Sequence, residues 1–331
     1  MHVLKLGRSS CQIIVSLFLA WVAWLSAAPS VAQDYPAKPV RVIIPNSAGS
    51  LADVVSRVLF AKVSESLGQQ FLIDNRPGAG GGIGTAVVAK ASPDGYTLLF
   101  GSDSIMTIGP HLYSKPGYDA LRDFAPVSMV AKVPFGIVAH PSLGVKSMDE
   151  FLRLAKARPG QITYSSGGNG HGTHMNMAML LWKAGIELVH VPYKGTGPAM
   201  QAVISGEVGA AAMGLGVVLP HIQSGKVVGL AIGGPRANDV LPNVPDLGKL
   251  VPDSEFISWQ AVFAPVGTPR PIVEKLNATF ATAMAAPEVM KRMLNTGMTT
   301  VGSTAAELEQ TVRREFTVNG ELVKRMGLKV E

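Results

Sequence analysis

The sequence predicts an α/β protein of two lobes joined by two crossing segments. Three observations carry this. Short apolar runs alternate with amphipathic stretches, the alternation restarts near residue 148, and two longer apolar segments without helix caps flank the second series.

The chain opens with Lys5 and Arg8 ahead of an apolar run from Ile13 to Leu25 that ends in Ser30-Val31-Ala32. A basic end, a short apolar stretch and small residues at the cleavage positions make a secretory signal peptide, so residues 1–32 are expected to leave with cleavage after Ala32. The run is too short to predict a stable membrane anchor. Cys11 lies at the start of that run, so the mature chain of 299 residues has no cysteine and must rely on its core rather than on disulfides. That length suits two lobes. The expected division is 33–134 plus 260–331 for the first lobe and 135–259 for the second.

In order, Val40–Pro45 reads as a buried strand, and Ala52–Gly68 as a helix whose apolar face carries Val54, Val55, Val58, Leu59, Val63 and Leu67. Phe71–Asp74 is a strand, Ile83–Ala91 a helix and Thr97–Gly101 a strand after the Pro93-Asp94-Gly95 turn. The second series has helices at 148–157, 173–184 and 198–205 and strands at 162–165, 188–191 and 227–232. Such alternation predicts largely parallel sheets covered on both faces. Ala125–Ala139 suits a strand passing from one lobe to the other, and Phe256–Pro265 the return. The remainder is helical by pattern, at 272–285, 288–296 and 305–326, the last capped by Ser303 or Thr304.

Ligands of parallel α/β sheets gather where strands end and helices begin, because helix N-termini present unbonded N–H groups. Two loops meet that rule. The first runs from Pro45 to Asp53, where Asn46, Ser47, Ala48, Gly49 and Ser50 offer small or polar groups and Asp53 can orient the helix start. The second runs from Ser165 to His174. Ser166, Gly168, Asn169, Gly170, Thr173 and His174 combine glycines with small donors, a composition suited to wrapping an anion. Ser102, at the end of the third strand, joins the candidate set, and His174 reads as a cap or pocket wall. Lys194, between a strand and a helix, reads equally as an anion-attracting group or as a solvated lysine.

Other chemistries lack their residues. The cluster Arg76–Gly84 contains neither G-x-G-x-x-G nor a P-loop lysine, so it reads as a structural turn rather than a nucleotide site. His171 and His174 have no neighbouring carboxylate or cysteine to complete a metal set, and no cofactor is expected. No G-x-S-x-G occurs, which leaves a serine hydrolase without its nucleophile elbow. The net charge of +6, or +4 after loss of Lys5 and Arg8, is spread along the chain without a basic, aromatic-interleaved stripe, so no nucleic acid is expected as partner.

Six segments go beyond pattern: YPAKPVR at 35–41, DNRPGAGG at 74–81, PDGYTLL at 93–99, DFAPV at 123–127, VHVPYKG at 189–195 and FAP at 263–265. Together they resemble the Bug family of extracytoplasmic receptors, also called TctC-like, which serve tripartite tricarboxylate transporters. The resemblance implies a periplasmic binding protein-like, Venus-flytrap fold that holds a small organic carboxylate, partly through ordered waters, between the loops matching Ser47–Asp53 and Ser165–Thr173. It also implies a periplasmic location, no catalysis, and membrane permease subunits as partners; a ligand-presenting partner of a periplasmic sensor and a periplasmic hydrolase are the alternatives. The chain departs from the family pattern at Asn46, Ser47, Ala48 and Ser50, where Phe, Ala, Pro and Gly are common. It departs again at His171, usually a small hydroxyl residue, and in Gly209–Leu215, which lacks the usual acidic residues.

Overall fold

A computed structural model describes residues 35–234, 241–250, 257–295 and 297–329; the signal segment lies outside the described residues. Strands β1 (Val40–Ile44), β2 (Phe71–Asn75) and β3 (Thr97–Ser102) are parallel, with β1 at the centre. Helices α1 (Leu51–Leu67) and α2 (Gly82–Ala89) connect them. A π-turn at Ser104–Ile108 and the short helix α3 (Gly109–Leu112) follow β3.

The sixteen-residue strand β4 (Phe124–Ala139) is the first crossing. Up to Pro134 it pairs antiparallel with β9 (Ile257–Pro265), and from Phe135 to Ala139 it pairs antiparallel with β7 (Ala210–Gly214) in the second half. β9 returns to the first half by pairing antiparallel with β3. The second half repeats the strand-helix rhythm. Helices α4 (Met148–Ala157), α5 (Gly172–Ala184) and α6 (Thr196–Ile204) accompany strands β5 (Thr163–Ser166) and β6 (Val189–Pro192), and β5 runs parallel to β6 and β7. Helix α7 (Leu215–Gln223), strand β8 (Val228–Ile232), which lies antiparallel to β4, and the one-turn helix α8 (Leu247–Leu250) complete it. The chain ends in α9 (Arg270–Ala285), α10 (Pro287–Asn295), the short β10 (Thr299–Thr300) on β4, and α11 (Ala305–Met326). Among the described residues no helix is long and apolar enough to cross a membrane.

Each half has its own core. In the first half Ile43, Leu99, Phe263 and Leu308 are fully or nearly fully buried; in the second, Val138, Val203, Met213 and Val218 are. The sheets are mixed rather than largely parallel, because β4 and β9 must run in opposite directions to leave one half and return. Two expectations on α1 and its neighbours need correction. The buried stripe of α1 is Ala52, Asp53, Val55, Ser56, Leu59, Phe60 and Val63, while Val54 faces solvent; the valines had drawn the stripe too far around the helix. The segment 210–223, read as no element, is a strand followed by a helix. An all-alanine start carries little β-signal, and Pro220 inside α7 removes a backbone donor and masks the helix.

Candidate functional site

The first loop is braced from below. Ser50 caps α1 by accepting the Asp53 N–H at 3.2 Å, and the Asp53 carboxylate accepts the Gly49 N–H at 2.9 Å. Burial works against the ionised Asp53, yet Arg57, the Gly49 N–H and Asn75 outweigh it and hold its carboxyl below the usual carboxylate range. Asn75 also donates to the Asn46 carbonyl at 3.0 Å. Asp53 therefore braces the loop and is not in the cleft lining, whereas Asn46, Ser47, Ala48, Gly49 and Ser50 line a cleft of about 1020 Å³.

The second loop is braced by its own groups. Thr173 Oγ1 accepts the Gly167 N–H at 2.8 Å, Ser166 Oγ accepts the Gly168 N–H at 3.1 Å, and His174 Nδ1 accepts the Gly170 N–H at 3.1 Å. His171, not His174, caps α5, through its Nδ1 and the Thr173 N–H. The His174 ring instead stacks on His190 at 4.0 Å, beneath the loop, while His190 Nε2 meets Ser166 Oγ at 2.6 Å. Burial drops His171 and His174 to about 4 each, so both rings are neutral at physiological pH. Within the loop expected to wrap an anion, the Gly170 N–H is thus already bonded, and Gly170 is buried against Tyr113. Gly168, Asn169 and His171 line the cleft; Ser166 and Thr173 stand behind it as supports.

Two contributors escaped the sequence reading. The Gly78–Gly81 turn, read as purely structural, forms part of the cleft wall. Tyr113, Ser114 and Lys115, just after α3, form another part, and the Tyr113 hydroxyl donates to the Asn169 carbonyl at 2.9 Å. Gly80, with φ of 60°, makes room for that ring: a Cβ there would fall 2.6 Å from the Tyr113 oxygen. Lys194 lines the cleft from the second half, and with Lys115 it gives the walls two ammonium groups; among the described residues no Asp or Glu lines it.

Below the cleft lies an inner chamber of about 80 Å³, which shares Asn46, Ser50, His171 and Thr196 with it. Its walls include Ser102, Ser104, Thr173, Ser258 and Gln260, so strand ends of both halves and the returning crossing meet there. At about 30 Å³ per water in the liquid, the chamber admits two or three waters or one carboxylate group.

Two α/β halves joined by two crossing strands, with a lysine-bearing cleft between loops at their strand ends, define a two-lobed solute-binding protein. The model of the tripartite tricarboxylate transporter family receptor matches residues 55–328, and the chain belongs to that family. Protein BugT of Bordetella pertussis is 34% identical over 320 residues, which span 96% of this chain and 98% of BugT. A Rhodopseudomonas palustris protein solved with adipate superposes with a TM-score of 0.84 at 30% identity, covering 89% of this chain and 99% of that one. MatC of the same organism, solved with bound malate, gives a TM-score of 0.80 at 29% identity over 87% of this chain and all of MatC. Members of the family are solute-binding receptors, not enzymes.

Proposed function

We propose that the protein is an exported receptor that captures a small organic acid with two carboxylates and hands it to the permease subunits of a tripartite transporter. The observation that carries this reading is the charge of the cleft: Lys115 from the first half and Lys194 from the second, with no acidic side chain among the described residues of the lining. One ligand carboxylate enters the hydroxyl-lined inner chamber, and the other meets the two ammonium groups as the halves close on it. The acids named with the two Rhodopseudomonas structures, adipate and malate, are both of this kind. The basic, apolar and small-residue order of the first 32 residues supports export to the periplasm.

A thermal-shift screen of mono-, di- and tricarboxylates, aromatic acids, amines and neutral sugars tests the ligand class. A dicarboxylate at a hundred times its Kd should stabilise the protein by about 2.7 kcal/mol. Stabilisation by an amine or a sugar, and by none of the acids, would sink the reading. Export makes a separate prediction. Intact-mass measurement of the periplasmic fraction should give a mature chain beginning at Gln33, and a retained Cys11 would overturn it.

A further inference from the structure

Behind the inner chamber lies a carboxyl group that the binding scheme has not used. Asp103 stands between Ser102 and Ser104, both of which line the chamber, at the point where β3 gives way to the π-turn. The hydroxyl of Ser258, a third chamber residue on the returning strand β9, donates to the Asp103 carboxylate. Backbone N–H groups of Ser104 and Trp259 reach the same carboxyl. Across the chamber wall Ser102 Oγ and Ser104 Oγ lie 2.9 Å apart. With Asp103 ionised, the Ser258 proton points away from the chamber, and an anion arriving there meets the oxygen lone pairs of Ser258 and a second negative charge behind them.

We propose that capture of a carboxylate in the inner chamber takes up one proton onto Asp103, which frees the Ser258 hydroxyl to turn from Asp103 to the bound anion. The inference rests on the receptor reading above. The proton comes from solvent; it forms an O–H bond on the Asp103 carboxylate, and that O–H then donates to Ser258 Oγ. Ser258 keeps its own proton, which swings to the ligand oxygen. No covalent bond to the ligand forms.

The surroundings favour the exchange. Removal from water raises the Asp103 carboxyl to about 7, Ser258 opposes that rise by its hydrogen bond, and Glu315 on α11 adds to it by repulsion. Glu315 accepts the Trp259 indole N–H at 2.7 Å and lies 3.6 Å from Arg314. Among the described residues, charged or titratable groups on the other neighbouring elements include His111 on α3, bonded to the Phe316 carbonyl, Tyr118, whose hydroxyl donates to the Ile105 carbonyl of the π-turn, and Lys132 on β4, opposite Trp259 in register. His171, which lines the chamber itself, stays neutral from pH 6 to 8 because burial lowers it to about 4. Asp103 is therefore a carboxyl beside the chamber that changes charge in this window. By linkage, protonation tightens the ligand by the same factor by which the ligand raises the affinity of Asp103 for its proton.

Calorimetry with malate, adipate, citrate and benzoate in two buffers of different ionisation enthalpy, Tris and HEPES, reads the proton directly. At pH 8 the bound acid should carry close to one proton with it, and at pH 6, where Asp103 is already protonated, close to none. Affinity should weaken roughly tenfold from pH 6 to pH 8. Asp103→Asn should bind without proton uptake and with a flat profile over the same range, and its melting curve establishes that it is folded. Binding by the wild type at pH 8 with no difference between buffers overturns the proposal, whatever the variant does. So does an Asp103→Asn protein that keeps the proton uptake. Failure of all four acids to bind would overturn the receptor reading and this proposal together.

Discussion

Replacing both Lys115 and Lys194 with alanine should weaken dicarboxylate binding by about 30- to 1000-fold while leaving the melting temperature of the unliganded protein unchanged. The two side chains are exposed in the open cleft and take part in no core, so their removal leaves packing intact. Once the halves close, each ammonium faces a ligand carboxylate away from bulk water. A hydrogen bond to a charged partner is worth about 1.5 to 3 kcal/mol, and part of that sum is returned to water in the variant, leaving roughly 2 to 4 kcal/mol. Each single variant should lose a part of the affinity, since the lysines come from different halves and meet only through the ligand. A matching monocarboxylate isolates the effect, because it lacks the group the lysines hold and should lose far less. Calorimetry of wild type and variants with malate, adipate and their monocarboxylate analogues checks this. Equal losses for the two ligand classes would mean that the lysines act as a diffuse field and do not clamp the second carboxylate.

Elements whose own residues decide their conformation were readable before the structure. Helix α11 runs from Ala305 to Met326 as its pattern predicts, because Thr304 and Glu307 form a reciprocal cap and Gly327 ends it in the left-handed region. The crossing at Ala125–Ala139 was readable for a different reason: a strand buried in two lobes in succession has no polar face and no cap. What the sequence hid depends on partners distant in the chain. The Ala210–Gly214 strand is held by β4 and β5 on either side, not by any β-branched residue of its own. Val54 looks apolar enough to be buried, but which side of α1 faces inward is set by Phe71, Phe100 and Phe280, which lie in other elements.

The site divides in the same way. The first loop is legible because a strand, small residues and a capped helix occur in sequence order, and all five residues from Asn46 to Ser50 line the cleft. The second loop is legible from its glycines between a strand and a helix, but the engagement of its donors is not, since glycine content does not reveal that Thr173, Ser166 and His174 accept those N–H groups. Tyr113 and Lys115 carry no local signal; only the fold of the π-turn and α3 brings them to the cleft. Asp103 reads as an ordinary polar residue between serines until β9 places Ser258 on it.

The largest loss of stability should follow from Phe60→Ala, at about 3 to 5 kcal/mol. Phe60 is 1% exposed on the underside of α1, and its ring centroid lies 5.8 Å from Phe71, 5.9 Å from Phe100 and 5.5 Å from Phe280. The last two contacts are edge-to-face, a geometry that adds about 0.5 to 1.5 kcal/mol per pair beyond the burial of the ring. These four rings join α1 to β2, β3 and α9, so the cavity left by alanine opens at the meeting point of four elements, where no single side chain can relax into it. A chain with two cores can unfold in two steps. Scanning calorimetry should therefore show the transition of the first half moving down while that of the second half stays in place. The same helix begins at Ser50 and anchors the first loop through Asp53, yet the loop's hydrogen bonds are all made at its far end from Phe60. Below the melting range, dicarboxylate affinity should stay within about threefold of wild type, a difference of under 1 kcal/mol. A loss of less than 1 kcal/mol, or an equal shift of both transitions, would show that the aromatic cluster is not what holds the first half together.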